Sequence, residues 1–291
     1  MYDLLLKFGP QGLNALSDEE RDFYQMLFSE EGRQPNPFFE GYSHMDFFMM
    51  LQHSFGPFSI VQIKKTEDEV YMKSPMFFLA RKLCDIIERE GYIKLTKEGL
   101  LPLDVMTELN VQDRLNLNPP AGTCMDQEGL VGKLLRLLLF ECNIVRMQNK
   151  RMVFRKASLK VRSDNHELFT LLFRTFCTYM NWKQIDGLPA YMRGIMGCSF
   201  QFILLKNYGH ISKNCSFYSE SFLKLGDFGL EEQDYLWYTF ELCLQAWGFV
   251  VIEKKEHSQD YFVRRTALLD EIIHINPFKE FVIEPIMSVS K

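Results

Sequence analysis

The chain has 291 residues and a net charge of −5, with 47% hydrophobic and 24% charged residues. This composition is typical of a globular protein and excludes a largely disordered chain. No apolar run approaches the ~18 residues of a membrane-spanning helix, and the first residues lack the basic and apolar regions of a signal peptide. We therefore expect a cytoplasmic protein with no membrane partner. Its seven Cys residues include no C-x-x-C pair and are expected to be reduced and mostly buried.

The first part of the chain has the pattern of a helical leader. Ser17 and Glu20 form a capping box that predicts the start of a helix. Residues 32–37 are rich in Gly, Pro and Asn and predict a break. The apolar stretch 44–53 predicts a second, buried helix.

The next stretch predicts a helix, a short strand and another helix. Ser74 and Pro75 are the cap and first residue of an amphipathic helix, which Gly91 ends. A short strand follows Gly91, and Pro102 begins the next helix. Residues 110–127, with several Asn and Pro residues, are the best linker in the chain.

Two hairpins are predicted further along, each after an apolar helix. Residues 129–142 form the first of these helices, and two β-type runs then flank the two-residue turn Asn149-Lys150. Residues 231–247 form the second helix, whose nearly complete lack of a polar face predicts burial. Residues 249–253 and 261–265 then pair across a polar loop.

One short pattern ends three of the predicted strands. The segments that begin at Leu95, Phe154 and Val263 each have the order apolar, any, basic, any, small, Leu. A helix, a β-hairpin and a further helix form the layout of a winged helix, a helix-turn-helix relative that binds nucleic acid or protein and rarely catalyses.

We therefore predict a mainly α protein with small β-hairpins (α+β), built from tandem winged-helix-like units joined by helical inserts. The predicted division is a helical leader (1–65), unit 1 (66–112), a basic unit 2 (128–163), a helical insert (164–215), unit 3 (216–275) and a tail (276–291).

No catalytic motif accompanies this architecture. Residues 129–134 resemble a phosphate-binding loop faintly, but Lys133 is followed by Leu instead of Ser or Thr. The chain has no G-x-S-x-G or H-E-x-x-H motif, and its six His residues lack a partner at metal-ligand spacing. We therefore expect a protein that is not an enzyme, with no cofactor and no metal.

The charge is distributed unevenly. Residues 129–163 hold nine bases and one acid, a local charge of +8, which leaves −13 for the rest of the chain. We expect this segment to contact nucleic acid, possible partners being double-stranded DNA or another protein. The competing interpretation is that these bases contribute only to solubility or pair with the acidic remainder of the protein. The candidate contact residues are Lys133, Arg136, Lys150, Arg151, Arg155 and Lys156.

The stretch 74–109, SPMFFLARKLCDIIEREGYIKLTKEGLLPLDVMTEL, resembles a segment in a group of uncharacterised bacterial proteins. Those proteins share a helix that begins with Ser-Pro, then Gly, then a K-L-T-K-x-G-x-L-P turn. Residues 130–182 are similar to the same group, and the LTKEG turn is similar to the end of the wing in bacterial winged-helix regulators. The second and third copies of the pattern lack its Thr and Gly. The resemblance implies a winged-helix fold but no activity, and it leaves a protein-protein adaptor as the alternative function.

Overall fold

The protein is mainly helical and carries small antiparallel sheets. The computed structural model describes residues 22, 25–27, 29–52, 54–56, 59–111, 114, 115, 117, 128–178, 180, 182–186, 198–223, 232–254 and 260–277. The expected α+β class is confirmed. Most of the helix predicted from Ser17, most of the linker and most of the tail lie outside these residues.

The elements follow in chain order. The first part holds α1 (His44–Gln52), β1 (Val61–Ile63) and α2 (Asp68–Met72). Next come α3 (Pro75–Glu90), β2 (Ile93–Lys94), α4 (Leu103–Leu109), α5 (Gly129–Glu141), β3 (Val145–Gln148), β4 (Arg151–Phe154), α6 (Leu159–Arg162), α7 (Asn165–Thr178) and α8 (Lys183–Asp186). The last part holds α9 (Cys198–Tyr208), β5 (Lys213–Asn214), α10 (Cys215–Leu223), α11 (Glu232–Tyr235) with a π-helix (Leu236–Gln245), β6 (Val250–Lys254), β7 (Tyr261–Arg265), α12 (Ala267–Ile272) and β8 (Ile273–Ile275).

Two stretches share one topology, helix–strand–helix–helix–strand–strand. The first repeat, residues 75–154, has the strand order β2-β4-β3, and the second repeat, residues 198–265, has the order β5-β7-β6. The strand of predicted unit 1 therefore belongs to the sheet of predicted unit 2. Likewise, the sheet of predicted unit 3 takes β5 from the region predicted as an insert.

The helix before each hairpin ends in the same way. After α5, Asn143 N donates to Phe140 O and Ile144 N to Leu139 O. After the π-helix, Gly248 N donates to Gln245 O and Phe249 N to Leu244 O. This is the Schellman arrangement, and it requires the left-handed backbone that Asn143 (φ 55°) and Gly248 (φ 84°) adopt.

Helix α3 begins where predicted, but its first turn is not capped by the predicted side chain. Pro75 is the first helical residue and Ser74 occupies the cap position, but the Ser74 side chain makes no capping hydrogen bond. Met76 N instead donates to Ala246 O, at 3.0 Å, in the second repeat. A tertiary contact thus satisfies a backbone donor that a helix N-terminus normally leaves to its own cap.

The three copies of the strand-end pattern are not structurally equivalent. The copy at Leu95 follows β2 and leads into α4, whereas those at Phe154 and Val263 end the last strand of their hairpins. The first copy forms a tight turn in which Leu100 N donates to Thr96 Oγ1 and Gly99 takes φ 83°. The missing Thr and Gly in the other two copies reflect this difference in position.

The core joins the two repeats. The Trp247 ring lies 4.8 Å from Phe173 and 5.5 Å from Phe169, both on α7, measured between ring centroids. Strand β1 pairs with β8 in antiparallel register, from Val61 opposite Ile275 to Ile63 opposite Ile273. Within the described ranges, none of the helices combines the length and apolar content that a bilayer crossing requires.

Candidate nucleic-acid interface

The hairpin of the first repeat and the turn after it carry a dense set of bases. Residues 142–163 hold seven bases and no acid. Six of them are exposed, and we call them the basic hairpin: Arg146, Lys150, Arg151, Arg155, Lys156 and Lys160. The seventh, Arg162, is half-buried, lies 3.9 Å from a Glu88 carboxylate oxygen and stacks on Phe154.

The basic hairpin is electrostatically unpaired within the described part of the protein. No ion pair between described residues involves any of its six bases. Its polar contacts are to neutral groups, such as Arg155 Nε to Val145 O at 3.3 Å and Arg146 to Gln148 Oε1 at 2.9 Å. The positive charge of this surface is therefore directed at solvent.

The register of the sheet brings a further base onto the same side. Lys94 on β2 lies directly opposite Arg151 on β4, which in turn lies opposite Gln148. Side chains at opposed positions point to one face of a sheet, and two like charges there repel each other. The Arg151 guanidinium stacks over the Tyr92 ring at 4.2 Å. The three strands contain no acid, so a bound anion would relieve this repulsion.

The turn of the hairpin has the predicted two-residue geometry. Asn149 has φ 52° and Lys150 has φ 59°, as a type I′ turn requires, and Gln148 pairs with Arg151. This confirms the predicted hairpin. The turn places Lys150 at its tip, exposed.

Two of the six predicted contact residues lie elsewhere. Arg136 donates to both oxygens of Glu128 at 2.5–3.1 Å, and its side chain is 13% exposed while that of Glu128 is fully buried. Lys133 Nζ donates to Ile185 O at 3.3 Å. Arg136 thus pairs with an acid of the protein itself, as the competing interpretation predicts. Lys150, Arg151, Arg155 and Lys156 all belong to the basic hairpin.

Helix α5, which carries Lys133 and Arg136, is not an exposed helix. Its apolar residues are almost all buried, because α3, α7 and α8 pack against it. A helix that reads bases must present an accessible face to the major groove. Helix α5 has no accessible face of that width, and its two bases contact groups of the protein itself.

The hairpin of the second repeat has a different surface. Its exposed charged residues alternate in sign, with Glu253 beside Lys254 on β6 and Arg264 on β7. The two repeats therefore share a topology but not an electrostatic surface.

Sequence reasoning missed Lys94 and Tyr92 as neighbours of Arg151. In the structure Ile93 is buried and its neighbours Tyr92 and Lys94 are exposed, as the side-chain alternation of a strand requires. The missing information was the partner strand, because β2 pairs with a strand more than 50 residues away.

A groove of about 540 Å³ lies at the β1–β8 strands. Its polar side chains hold the fold together: Glu40 accepts hydrogen bonds from Asn207 and Tyr208 at 2.9 and 2.8 Å, and Lys206 pairs with Asp270 at 2.5 Å. These groups do not form the acid, base and nucleophile set of a catalytic centre.

Three cysteines predicted to be scattered thiols lie together. Cys243 Sγ is 3.5 Å from Cys198 Sγ and 3.7 Å from Cys177 Sγ. Burial raises the pKa of Cys177 and Cys243 well above the usual range. Burial also acts to raise the pKa of Cys198, but hydrogen bonds from the two neighbouring thiols outweigh it and lower that pKa to about 6. No spacing rule could find this cluster, since its members are 21 and 45 residues apart along the chain.

Comparison of the sequence and the structure with protein-family models, with curated proteins and with solved structures finds no match. The resemblance to uncharacterised bacterial proteins therefore stays a prediction.

Proposed function

We propose that this protein is a non-enzymatic binding protein that holds the phosphate backbone of double-stranded DNA through its basic hairpin. The observation that carries the proposal is the set of six exposed bases without an ion pair among the described residues. Phosphate is the ligand whose charge and geometry suit a row of Arg and Lys side chains. Lys94, opposite Arg151, extends the same surface.

We also propose that each repeat is a winged-helix unit. The order helix–strand–helix–helix–strand–strand, with the first strand next to the last, supports this interpretation in both repeats. It replaces the three predicted units by two, at 75–154 and 198–265. The hairpin of each repeat is then its wing.

The proposed contact uses the wing and not the helix before it. Helix α5 is buried, and its Arg136 is paired with Glu128. Contacts from a wing to phosphate fix a protein on the duplex but carry little sequence information. We therefore expect binding that depends weakly on DNA sequence and strongly on salt.

The size of the salt effect follows from the number of bases. If all six bases of the basic hairpin contact phosphate, the slope of log affinity against log salt is about −5, so affinity falls about a thousandfold between 50 and 200 mM salt. A smaller slope would report fewer contacts.

The test is fluorescence anisotropy with a labelled random duplex at both salt concentrations. A Lys150→Glu/Arg151→Glu variant should lose binding at 50 mM salt, because both residues lie in the proposed contact. The matched control is Lys254→Glu/Arg264→Glu, which makes the same change in net charge on the hairpin of the second repeat and should bind nearly as the unmodified protein does. Equal loss in both variants, or no binding at 50 mM salt, would contradict the proposal.

The alternative is a protein-protein adaptor, and it would need a continuous exposed apolar surface. Among the residues that the structure describes, the most exposed large apolar side chains lie on separate elements, with Phe38 before α1, Leu103 on α4 and Leu159 on α6. This distribution favours the nucleic-acid proposal over the adaptor.

A further inference from the structure

The three clustered thiols come from three separate helices. Cys177 lies at the end of α7, Cys198 is the first residue of α9, and Cys243 belongs to the π-helix. Their Sγ atoms all lie within 4.8 Å of one another. Cys198 and Cys243 are buried and Cys177 is half-buried.

The spacing of the sulfur atoms is that of metal ligands. With Zn–S bonds of about 2.3 Å, two thiolates of a tetrahedral site are separated by about 3.8 Å. The Cys198–Cys243 and Cys177–Cys243 separations are 3.5 and 3.7 Å. A disulfide, at about 2.05 Å, would need a much closer approach.

The other described thiols provide an internal comparison. Cys84, Cys142 and Cys215 are buried singly, and no other described thiol lies within hydrogen-bond distance of any of them. Burial raises the pKa of Cys84 and of Cys142 to about 12, as expected of inert structural thiols. Packing alone accounts for such residues, but it does not gather three sulfurs around one point.

The environment also suits a cation. Three thiolates would be costly to bury without one, whereas Zn²⁺ deprotonates its thiols on binding and neutralises most of their charge. A π-helix is rare and is often found at functional positions, and here it carries the Cys243 sulfur that lies between the other two.

We propose that Cys177, Cys198 and Cys243 together bind one Zn²⁺ ion. Binding forms three Zn–S bonds and releases the protons that the thiols still hold, with no change of oxidation state. Among the described residues, no fourth His, Cys or carboxylate ligand atom joins the group. The ion would join α7 to α9 and to the last helix of the second repeat.

The first measurement is the metal content of the full-length protein, purified under reducing conditions without chelator. We expect about one zinc per chain by mass spectrometry. After removal of zinc, addition of Co²⁺ should produce the sulfur-to-metal charge-transfer band and the intense visible bands of a tetrahedral thiolate site. Absence of both zinc and these Co²⁺ bands would overturn the proposal, as would a native disulfide between two of the three residues.

The variants Cys177→Ser, Cys198→Ser and Cys243→Ser should each lose most of the zinc and the charge-transfer band. Cys215→Ser is the matched control, because it removes a buried thiol outside the cluster and should keep both. If the three variants fail to fold, the Co²⁺ spectrum of the unmodified protein still decides the question. Zinc retained by all three folded variants would place the metal elsewhere and overturn the assignment.

Discussion

At the scale of single residues, the pair formed by Glu128 and Arg136 shows that a base in a positively charged segment can contribute to stability instead of surface charge. The Glu128 side chain is fully buried and accepts hydrogen bonds from Arg136 and from Leu101 N, the latter at 2.9 Å. A buried carboxylate is stable only when such donors surround it. Arg136 is therefore a structural residue, although its place in a basic segment suggested a phosphate contact.

We predict that Arg136→Met lowers the free energy of unfolding by about 3–5 kcal/mol, because it removes the guanidinium that donates hydrogen bonds to both oxygens of the buried Glu128 carboxylate. Urea denaturation followed by circular dichroism measures this. Lys156→Met is the control, since Lys156 is exposed and outside any ion pair of the described residues, and it should change stability by less than about 0.5 kcal/mol. A cost below about 1 kcal/mol for Arg136→Met would contradict this account of the pair.

At the scale of elements, the turn between β3 and β4 places a charged side chain at a position where the backbone conformation favours Gly. Lys150 adopts φ 59°, a region that disfavours side chains and that Gly occupies freely. Its carbonyl oxygen accepts a hydrogen bond from Leu95 N at 3.0 Å, which a substitution of the side chain leaves in place. The lysine at this position thus has a conformational cost that Gly would not have.

We predict that Lys150→Gly raises the free energy of unfolding by about 0.5–1 kcal/mol and weakens DNA binding, with the salt slope reduced by about one. Thermal melting and anisotropy on the same preparation measure the two effects. Lys156→Gly should weaken binding similarly without any gain in stability. If the stability and the DNA affinity of Lys150→Gly both fell, or both rose, the prediction that Lys150 favours binding at the expense of stability would be contradicted.

The sequence predicts those elements whose determinants are local. The cap position at Ser74, the end of α3 at Gly91 and the Asn149-Lys150 hairpin all depend on a few adjacent residues, and the structure confirms them. The short strand predicted after Gly91 corresponds to β2, but its partner β4 lies more than 50 residues away and no local pattern indicates that pairing. Strand β5 is two residues long and pairs with a distant strand, so no local periodicity marks it. The same reason hides β1 and β8, and it hides the thiol cluster, whose members meet only after α7, α9 and the π-helix pack together.

At the scale of the whole molecule, the β1–β8 pair connects residues 61–63 to residues 273–275 across both repeats. One continuous set of buried side chains, with Trp247 against α7, lies between the repeats. Among the described residues, the two repeats thus share this one core. The two repeats should therefore unfold together.

We predict that Ile273→Ala, which truncates a fully buried side chain in β8, lowers the free energy of unfolding by about 2–5 kcal/mol. Hydrogen exchange at β4 and at β7 should accelerate together, because both sheets depend on one cooperative core. His274→Ala, at the adjacent exposed position, is the control and should have little effect. Faster exchange confined to the second repeat would indicate two independent folding units.

The basic hairpin has a consequence for the way the molecule moves in solution. Residues 129–163 carry +8 and the remaining residues carry −13, and six of the positive charges are exposed on one hairpin and the turn that follows it. A local concentration of positive charge on a molecule of negative net charge makes the charge distribution asymmetric, and an asymmetric distribution has an electric dipole. The field of a polyanion exerts a torque on a dipole before contact. If the proposed DNA binding holds, the protein should therefore approach the duplex already turned, with the basic hairpin leading.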